Sequence, residues 1–440
     1  MSNLNLIPIG KLFDLEKGSL QSSKCTEGEY TFITAAEEWK THNEYSHECE
    51  ALIFAAAASG SLGRTHYIND KFITSDLCFI LTPKDSKKYP INLKFYHFVF
   101  NSLKDEIVKN TKSGTSKESI NQSNLRNYEI PYFEIDKQNL WIDKLVNTKS
   151  IKEDLELELS SGQSLLKQLK QTILQEAIEG KLTAKWRAKN PDIGTAKKLL
   201  EQIKTEKEKL IKEKKIRPSK PLPPINEDEI PFDIPQNWEW CRLGDISFVG
   251  TGATPLTSEP KYYNGDINWI TSSATGADFV TEAETKITEL ALKETNCQIY
   301  PIGTLVIAMY GQGKTRGQIT ELMIDSATNQ ACAAISIYLK DKALNQFIKK
   351  YFQKIYLEIR ELASGGAQPN LNMQKVKDTM IALPPLEEQK EIVATIEKLF
   401  TLCNELESEI NQNKVTVDNL MATVLKEAFE TKENIHEYKA

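Results

Sequence analysis

The stretch Ile392–Ile410 reads IVATIEKLFTLCNELESEI, and its residues Ile392, Ile396, Leu399, Cys403, Leu406 and Ile410 fall at alternating steps of four and three. That is the heptad spacing of a helix whose apolar seam packs against another helix. The seam continues through Val417, Leu420 and Val424, with polar Asn413 interrupting it. An earlier stretch carries a similar stripe, Ile151, Leu155, Leu159, Leu166, Leu169 and Ile173, ending near Gly180, a candidate C-cap. Each stripe lacks an apolar partner within its own helix. The spacing therefore predicts that the two helices pair, parallel or antiparallel, into a coil that ties the rest of the chain together.

Outward from these helices the chain repeats itself, at a period far longer than that of a solenoid. Ile9-Gly10-Lys11-Leu12 is echoed by Leu243-Gly244-Asp245-Ile246, and Phe32-Ile33-Thr34 by Trp269-Ile270-Thr271. The strand-like Leu52-Ile53-Phe54-Ala55 is echoed by Leu305-Val306-Ile307-Ala308, and Cys78 by Cys332. Later matches settle on one offset: Ser113-Gly114 with Ser364-Gly365, Asn121 with Asn372, and Leu169, Glu176 and Ala177 with Leu420, Glu427 and Ala428, all 251 residues apart. Each match is weak, but all keep the same order. Two globular parts alternate with two helical ones.

A third helix is expected over Ala196 to Ile216. From Lys197 to Arg217 nine Lys or Arg face four Glu, a run that reads first as a solvated face and second as a contact for DNA backbone or an acidic partner. Arg217-Pro218-Ser219-Lys220-Pro221-Leu222-Pro223-Pro224 then reads as an extended linker leading to Trp238-Glu239-Trp240.

The 440 residues suit two to three domains, and 40% hydrophobic with 26% charged residues is ordinary for a globular chain. No apolar run reaches the roughly 18 residues of a membrane helix. Met1 to Leu15 lacks a basic segment followed by an apolar run, so no secretory signal is expected. Seven scattered cysteines without a Cys-x-x-Cys pair suit free thiols in a reducing cytoplasm rather than disulfides or zinc. A net charge of −6 does not advertise a nucleic-acid binder, so any DNA contact must rest on local basic loops or on partners that contribute charge.

Apparent catalytic motifs fail on their flanks. Ala308-Met309-Tyr310-Gly311-Gln312-Gly313-Lys314-Thr315 resembles a relaxed phosphate loop, but Arg316-Gly317-Gln318-Ile319-Thr320 follows where a helix N-terminus should face the anion. It reads better as a polar, basic surface loop, since Lys and Arg contact phosphate or guanine and Gln reads adenine. Phe248-Val249-Gly250-Thr251-Gly252 looks like a methyltransferase turn. However, both Pro-Pro sites, Leu222-Pro223-Pro224-Ile225 and Leu383-Pro384-Pro385-Leu386, lack the Asn or Asp before and the aromatic after that adenine methylation needs. His42, His47 and Cys49 lack metal-ligand spacing and read as a surface loop. No nucleophile–base pair stands out among five histidines.

Three runs resemble the opening of a recognition domain in the specificity subunits of type I restriction–modification systems: Trp240-Cys241-Arg242-Leu243-Gly244-Asp245-Ile246, Gly252-Ala253-Thr254-Pro255 and Gly265-Asp266-Ile267-Asn268-Trp269-Ile270. The close of such a domain is similar to Ser364-Gly365-Gly366-Ala367-Gln368-Pro369-Asn370-Leu371 and Ile381-Ala382-Leu383-Pro384-Pro385-Leu386-Glu387-Glu388-Gln389. Gln175-Glu176-Ala177-Ile178-Glu179-Gly180-Lys181-Leu182 is like the central spacer. The resemblance covers essentially the whole chain. The first half departs from it, lacking the Gly-x-Thr-Pro and Gly-Asp-Ile-x-Trp runs and offering Glu129-Ile130-Pro131 where the second closes on Leu383-Pro384-Pro385.

The resemblance implies an α+β chain. Two duplicated α/β target-recognition domains, 1–145 and 238–385, would be separated and tied together by coiled-coil spacers, 146–216 and 386–432, with a Pro-rich linker at 217–237. Each domain would read one half of a split, asymmetric double-stranded DNA target. A spacer helix over Ile151–Glu179, roughly 43 Å at 1.5 Å per residue, would set the gap. Two methyltransferase subunits would bring S-adenosylmethionine, and restriction (motor–nuclease) subunits ATP and Mg, leaving this chain without cofactor, metal, catalytic residue or membrane contact. Candidate DNA contacts are Gln312, Lys314, Arg316, Gln318, Gln368, Asn370 and Asn372 in the second domain. In the first they are Ser59, Ser61, Arg64, Lys112, Ser116, Lys117 and Gln122. A coiled-coil scaffold without DNA specificity is the alternative, and a P-loop nucleotide-binding protein a further one.

Overall fold

The computed structural model describes residues 5–57, 60–113, 118–218, 220–311, 315–364 and 371–430, to the level of side chains except at 357–364 and 429–430. Two compact units divide it, 1–162 with 409–440, and 163–408.

In the first unit the sheet runs Phe13–Lys17, Cys78–Pro83, His47–Ala55, Thr65–Thr74, Tyr30–Ile33, Lys40–His42. Alternation along His47–Ala55 explains why its last five residues are all buried. Leu52 and Phe54 enter the cluster under the helix Leu93–Ser102, while Ala51, Ile53 and Ala55 enter a second cluster with Ile33 and Phe72. Phe13 meets Tyr96 and Phe100 edge-on at 5.5 and 5.7 Å. Each such buried ring is worth about 1.5–3 kcal/mol over exposure. Trp141 and Leu145 join this core together with Val424, Leu425 and Ala428 of the helix Leu420–Glu430.

The spacer helix extends over Ile135–Ile178, 44 residues, and so opens inside the span expected to belong to the first domain. Its pairing with the C-terminal helical stretch is antiparallel within the first unit, since Lys144 bridges Glu427 at 3.1 Å and Gly162 lies beside Ile410. In the second unit Lys170 bridges Glu407 of Leu386–Asp418 at 2.7 Å. The seam is only partly closed: Leu166, Ile173, Ile392, Ile396 and Cys403 are buried, whereas Leu169 and Leu406 are 46% and 49% exposed. The third helix covers Ala196–Lys212.

The second unit repeats the first sheet in two pieces. Ser247–Thr251, Cys332–Ile337, Leu305–Ala308 and Ile319–Leu322 take the order of the first four strands above. Ile299–Tyr300 and Ser326–Thr328 continue the third and fourth after interruptions, beside Tyr263–Ile270 and Thr285–Ile287. The register repeats too. Phe32 and Ile33 lie parallel to Ile73 and Thr74, as Trp269 and Ile270 lie parallel to Ala327 and Thr328. The sequence echo between these pairs is therefore a structural equivalence. Phe279–Val280, parallel to Ile319–Leu322, is an addition of the second domain.

Three local readings change. Glu129-Ile130-Pro131 is a strand beside Leu6–Pro8 and matches Met380-Ile381-Ala382, not Leu383-Pro384-Pro385. The true counterpart of Pro384 is Phe133, because buried Gln138 donates to Phe133 O at 2.6 Å as buried Gln389 donates to Pro384 O at 2.8 Å. His42, His47 and Cys49 sit on strands instead of a surface loop, and His42 is buried, bonded to Thr26. The linker is strapped down. Arg242, 7% exposed, donates to the carbonyls of Pro223, Pro224 and Asp378 and pairs with Glu229 at 2.6 Å.

Among the described residues, five cysteines are buried, Cys25 and Cys49 are half-buried, and all seven are free. No described helix is long and apolar enough to cross a membrane. The described residues hold no cluster of metal-ligating side chains.

Candidate nucleic-acid interface

Both domains turn the same way at the end of the sheet's central hairpin. In the first, Gly63 N donates to Ala55 O at 2.8 Å, Ala55 N to Arg64 O at 2.8 Å, and Arg64 N to Ser61 O at 3.0 Å. In the second, Gly317 N donates to Ala308 O at 2.8 Å, Ala308 N to Gln318 O at 3.0 Å, and Gln318 N to Thr315 O at 3.1 Å. Gly63 and Gly317 both sit in the left-handed region, with φ of 79° and 83°, where a side chain is strained. Arg64 and Gln318 are therefore equivalent positions on equivalent turns.

Around the first turn, Ile120 N donates to Ala56 O at 2.8 Å, which ties the strand pair Lys112–Ser113/Ser119–Ile120 to the residue after Ala55. Arg64 reaches Ala35 O and Ser61 Oγ at 3.4 Å each and Glu37 at 3.8 Å, long contacts that hold the guanidinium loosely. Lys112 pairs with Glu118 at 2.7 Å. Gln122 is held structurally, donating to Leu15 O at 2.6 Å. Ser59, Ser116 and Lys117 lie outside the described residues.

On the second turn, Arg316 Nε is buried without a hydrogen-bond partner among the described residues. Among those residues the half-buried Gln318 carboxamide has no side-chain partner either. Asn372 caps the helix Met373–Asp378, accepting from Lys375 N at 2.9 Å, as its twin Asn121 caps Gln122–Asn127. Gln312, Lys314, Gln368 and Asn370 lie outside the described residues.

The phosphate-loop pattern is flanked by paired strands: Ile307 faces Ile319 across an antiparallel pair, and the chain returns as a strand where such a loop needs a helix. Gly250 and Gly252 lie in and just after a strand, and neither opens a helix.

Sequence reasoning missed two groups. In the first domain, Trp39, His66, Tyr67, Lys94, His97 and Lys149 line a cleft of about 490 Å³. Burial, then Lys149 and His66, push the His97 imidazole down to about 4, so it is neutral at pH 7. In the second, Asp278 and Gln353 stand beside Gln318. Neither group follows a spacing that a single chain reveals, because each joins segments far apart in sequence.

The sequence that builds the duplicated sheet matches a known family. Residues 1–160 and 235–414 fit the family model described as the type I restriction modification DNA specificity domain. The chain belongs to this family. It is 28% identical over 259 residues to the type I restriction enzyme EcoEI specificity subunit of Escherichia coli, a match covering 56% of this chain but only 42% of that relative. The EcoDI specificity subunit of E. coli is 23% identical over 436 residues, covering 96% of this chain and 87% of the relative. A structure solved for the assembly and conformational transition of the type I R-M system shares the fold, with a TM-score of 0.68, 14% identity and 98% coverage of both chains.

Proposed function

We propose that this chain is the DNA-reading subunit of a type I restriction–modification complex. Each duplicated domain reads one half of a split double-stranded target, and the chain directs methyltransferase and restriction subunits to it. The observation that carries this is the repetition of one turn in two domains of a specificity family, with Ser61 and Arg64 on one and Arg316 and Gln318 on the other. One reader per half-site is what an asymmetric target requires. Phosphates would be met by the basic side chains and base edges by the amides and guanidinium groups.

Leu157, Leu165, Leu169, Leu402, Leu406 and Val415 on the long helices are between 46% and 72% exposed, and such surface suits protein partners. The chain is read as non-catalytic. S-adenosylmethionine would be held by the methyltransferase subunits, and ATP with Mg by the restriction subunits. A partner-supplied positive surface offsets the acidic net charge of −6. No role at a membrane is proposed, and the cytoplasm is the expected location.

Arg316→Ala tests the assignment of the second turn. Titrated against duplexes with either half-site scrambled, the variant complex should bind the cognate target about 1–3 kcal/mol more weakly and stop sensing one half only. Equal loss at both halves, or no loss, contradicts the assignment.

A further inference from the structure

Thr275, Asp278, Gln318, Ile319, Gln353 and Tyr356 enclose a small concavity of about 160 Å³ beside the second turn. It is smaller than the roughly 300–1,000 Å³ of sites that enclose a whole small molecule. Its lining is polar and rigidly backed. Gln353 Nε2 donates to Asp278 Oδ1 at 3.0 Å, which fixes the carboxamide's orientation. Asp278 is anchored in turn, because the buried Lys349 ammonium donates to its carbonyl at 2.5 Å and lies 3.7 Å from the centre of the Phe279 ring. Across the concavity, the half-buried Gln318 carboxamide has no partner among the described residues, so its donor and its acceptor are both unspent.

In the first domain the position equivalent to Gln318 is Arg64, whose guanidinium meets Ala35 O and Glu37 from the segment after the strand Tyr30–Ile33. The second domain has the longer Thr271–Asp278 stretch in that place, and the concavity lies between it and Gln318.

We infer that this concavity reads an adenine edge, with Gln318 as the contacting residue and Gln353, held on Asp278, as a further specificity residue. The inference rests on the proposed DNA-reading role. A phosphate is disfavoured by the Asp278 carboxylate, and the Lys349 ammonium behind it is already bonded to a carbonyl. The bases that offer an amino donor in the major groove are adenine and cytosine, and adenine alone adds the N7 acceptor that a free carboxamide matches bidentately. An arginine, the residue type at the equivalent position 64, would pair with guanine O6 and N7 instead.

The test maps methylated motifs for the full chain assembled with a type I methyltransferase subunit, comparing wild type with Gln353→Leu, Gln353→Glu and Gln318→Arg. In both Gln353 variants, preference for adenine at one position of one half-site should fall about tenfold with the other half unchanged. Gln318→Arg should move that same position toward guanine. An unaltered motif in all three variants, or an equal change in both halves, overturns the inference. Failure of these variants to assemble overturns the placement of their side chains as surface readers. If the wild-type complex itself yields no sequence motif, it is the DNA-reading role that fails.

Discussion

Glu388→Ala is expected to lower the unfolding free energy by about 3–5 kcal/mol, a shift in the denaturant midpoint without a change in slope. Its carboxylate is fully buried and gathers donors from two other segments. Thr183 Oγ1 donates at 2.7 Å, Trp238 Nε1 at 2.8 Å and Asn237 Nδ2 at 3.4 Å, and Arg187 forms an ion pair with it. Arg187 also donates to Gly180 O at 2.9 Å, just after the spacer helix ends. One side chain thus clamps the end of Ile135–Ile178, the entry to the second domain and the start of Leu386–Asp418. Removing it strands a mostly buried guanidinium and a buried indole N–H, and breaking a buried pair costs far more than forming it returns. Asn237→Ala, which removes the longest and most peripheral of the contacts, should cost about 1 kcal/mol or less.

Gly252→Ala should destabilise the second domain by about 3 kcal/mol, at the upper end for overpacking, read as a fall in its thermal midpoint. A Cβ at Gly252 would stand 1.6 Å from the carbonyl oxygen of Thr328. That atom is backbone on a strand paired with Tyr263–Ile270, so it cannot rotate away. The glycine at 252 is thereby explained by close strand approach. Gly276→Ala is the contrast: the nearest atom to its added Cβ is Gln318 Oε1 at 3.8 Å, an ordinary contact that leaves stability nearly unchanged.

The duplication was legible because equal order in sequence became equal register in space. Asn121 and Asn372 show why: each caps a short helix, and a cap tolerates few residue types, so the position stays recognisable. The start of the spacer helix was not legible, since Ile135–Ser150 buries Trp141 and Leu145 against the domain core and follows no heptad. The splitting of the second sheet was hidden as well, because the interruptions at 301–304 and 323–325 leave strand composition intact on either side. For the candidate interface, the turn carrying Arg316 and Gln318 was visible from its glycines and amides. Gln353 was invisible, since a polar residue on a helix face reads as solvated until the fold sets Asp278 against it.

The most direct measurement is a map of N6-methyladenine in DNA from cells expressing a type I methyltransferase subunit with and without the full chain. A split, asymmetric motif should appear only when both proteins are present, and exchanging residues 1–145 for those of a relative should change one half of it. Failure of the two proteins to associate, or methylation without any motif, would contradict a sequence-reading role.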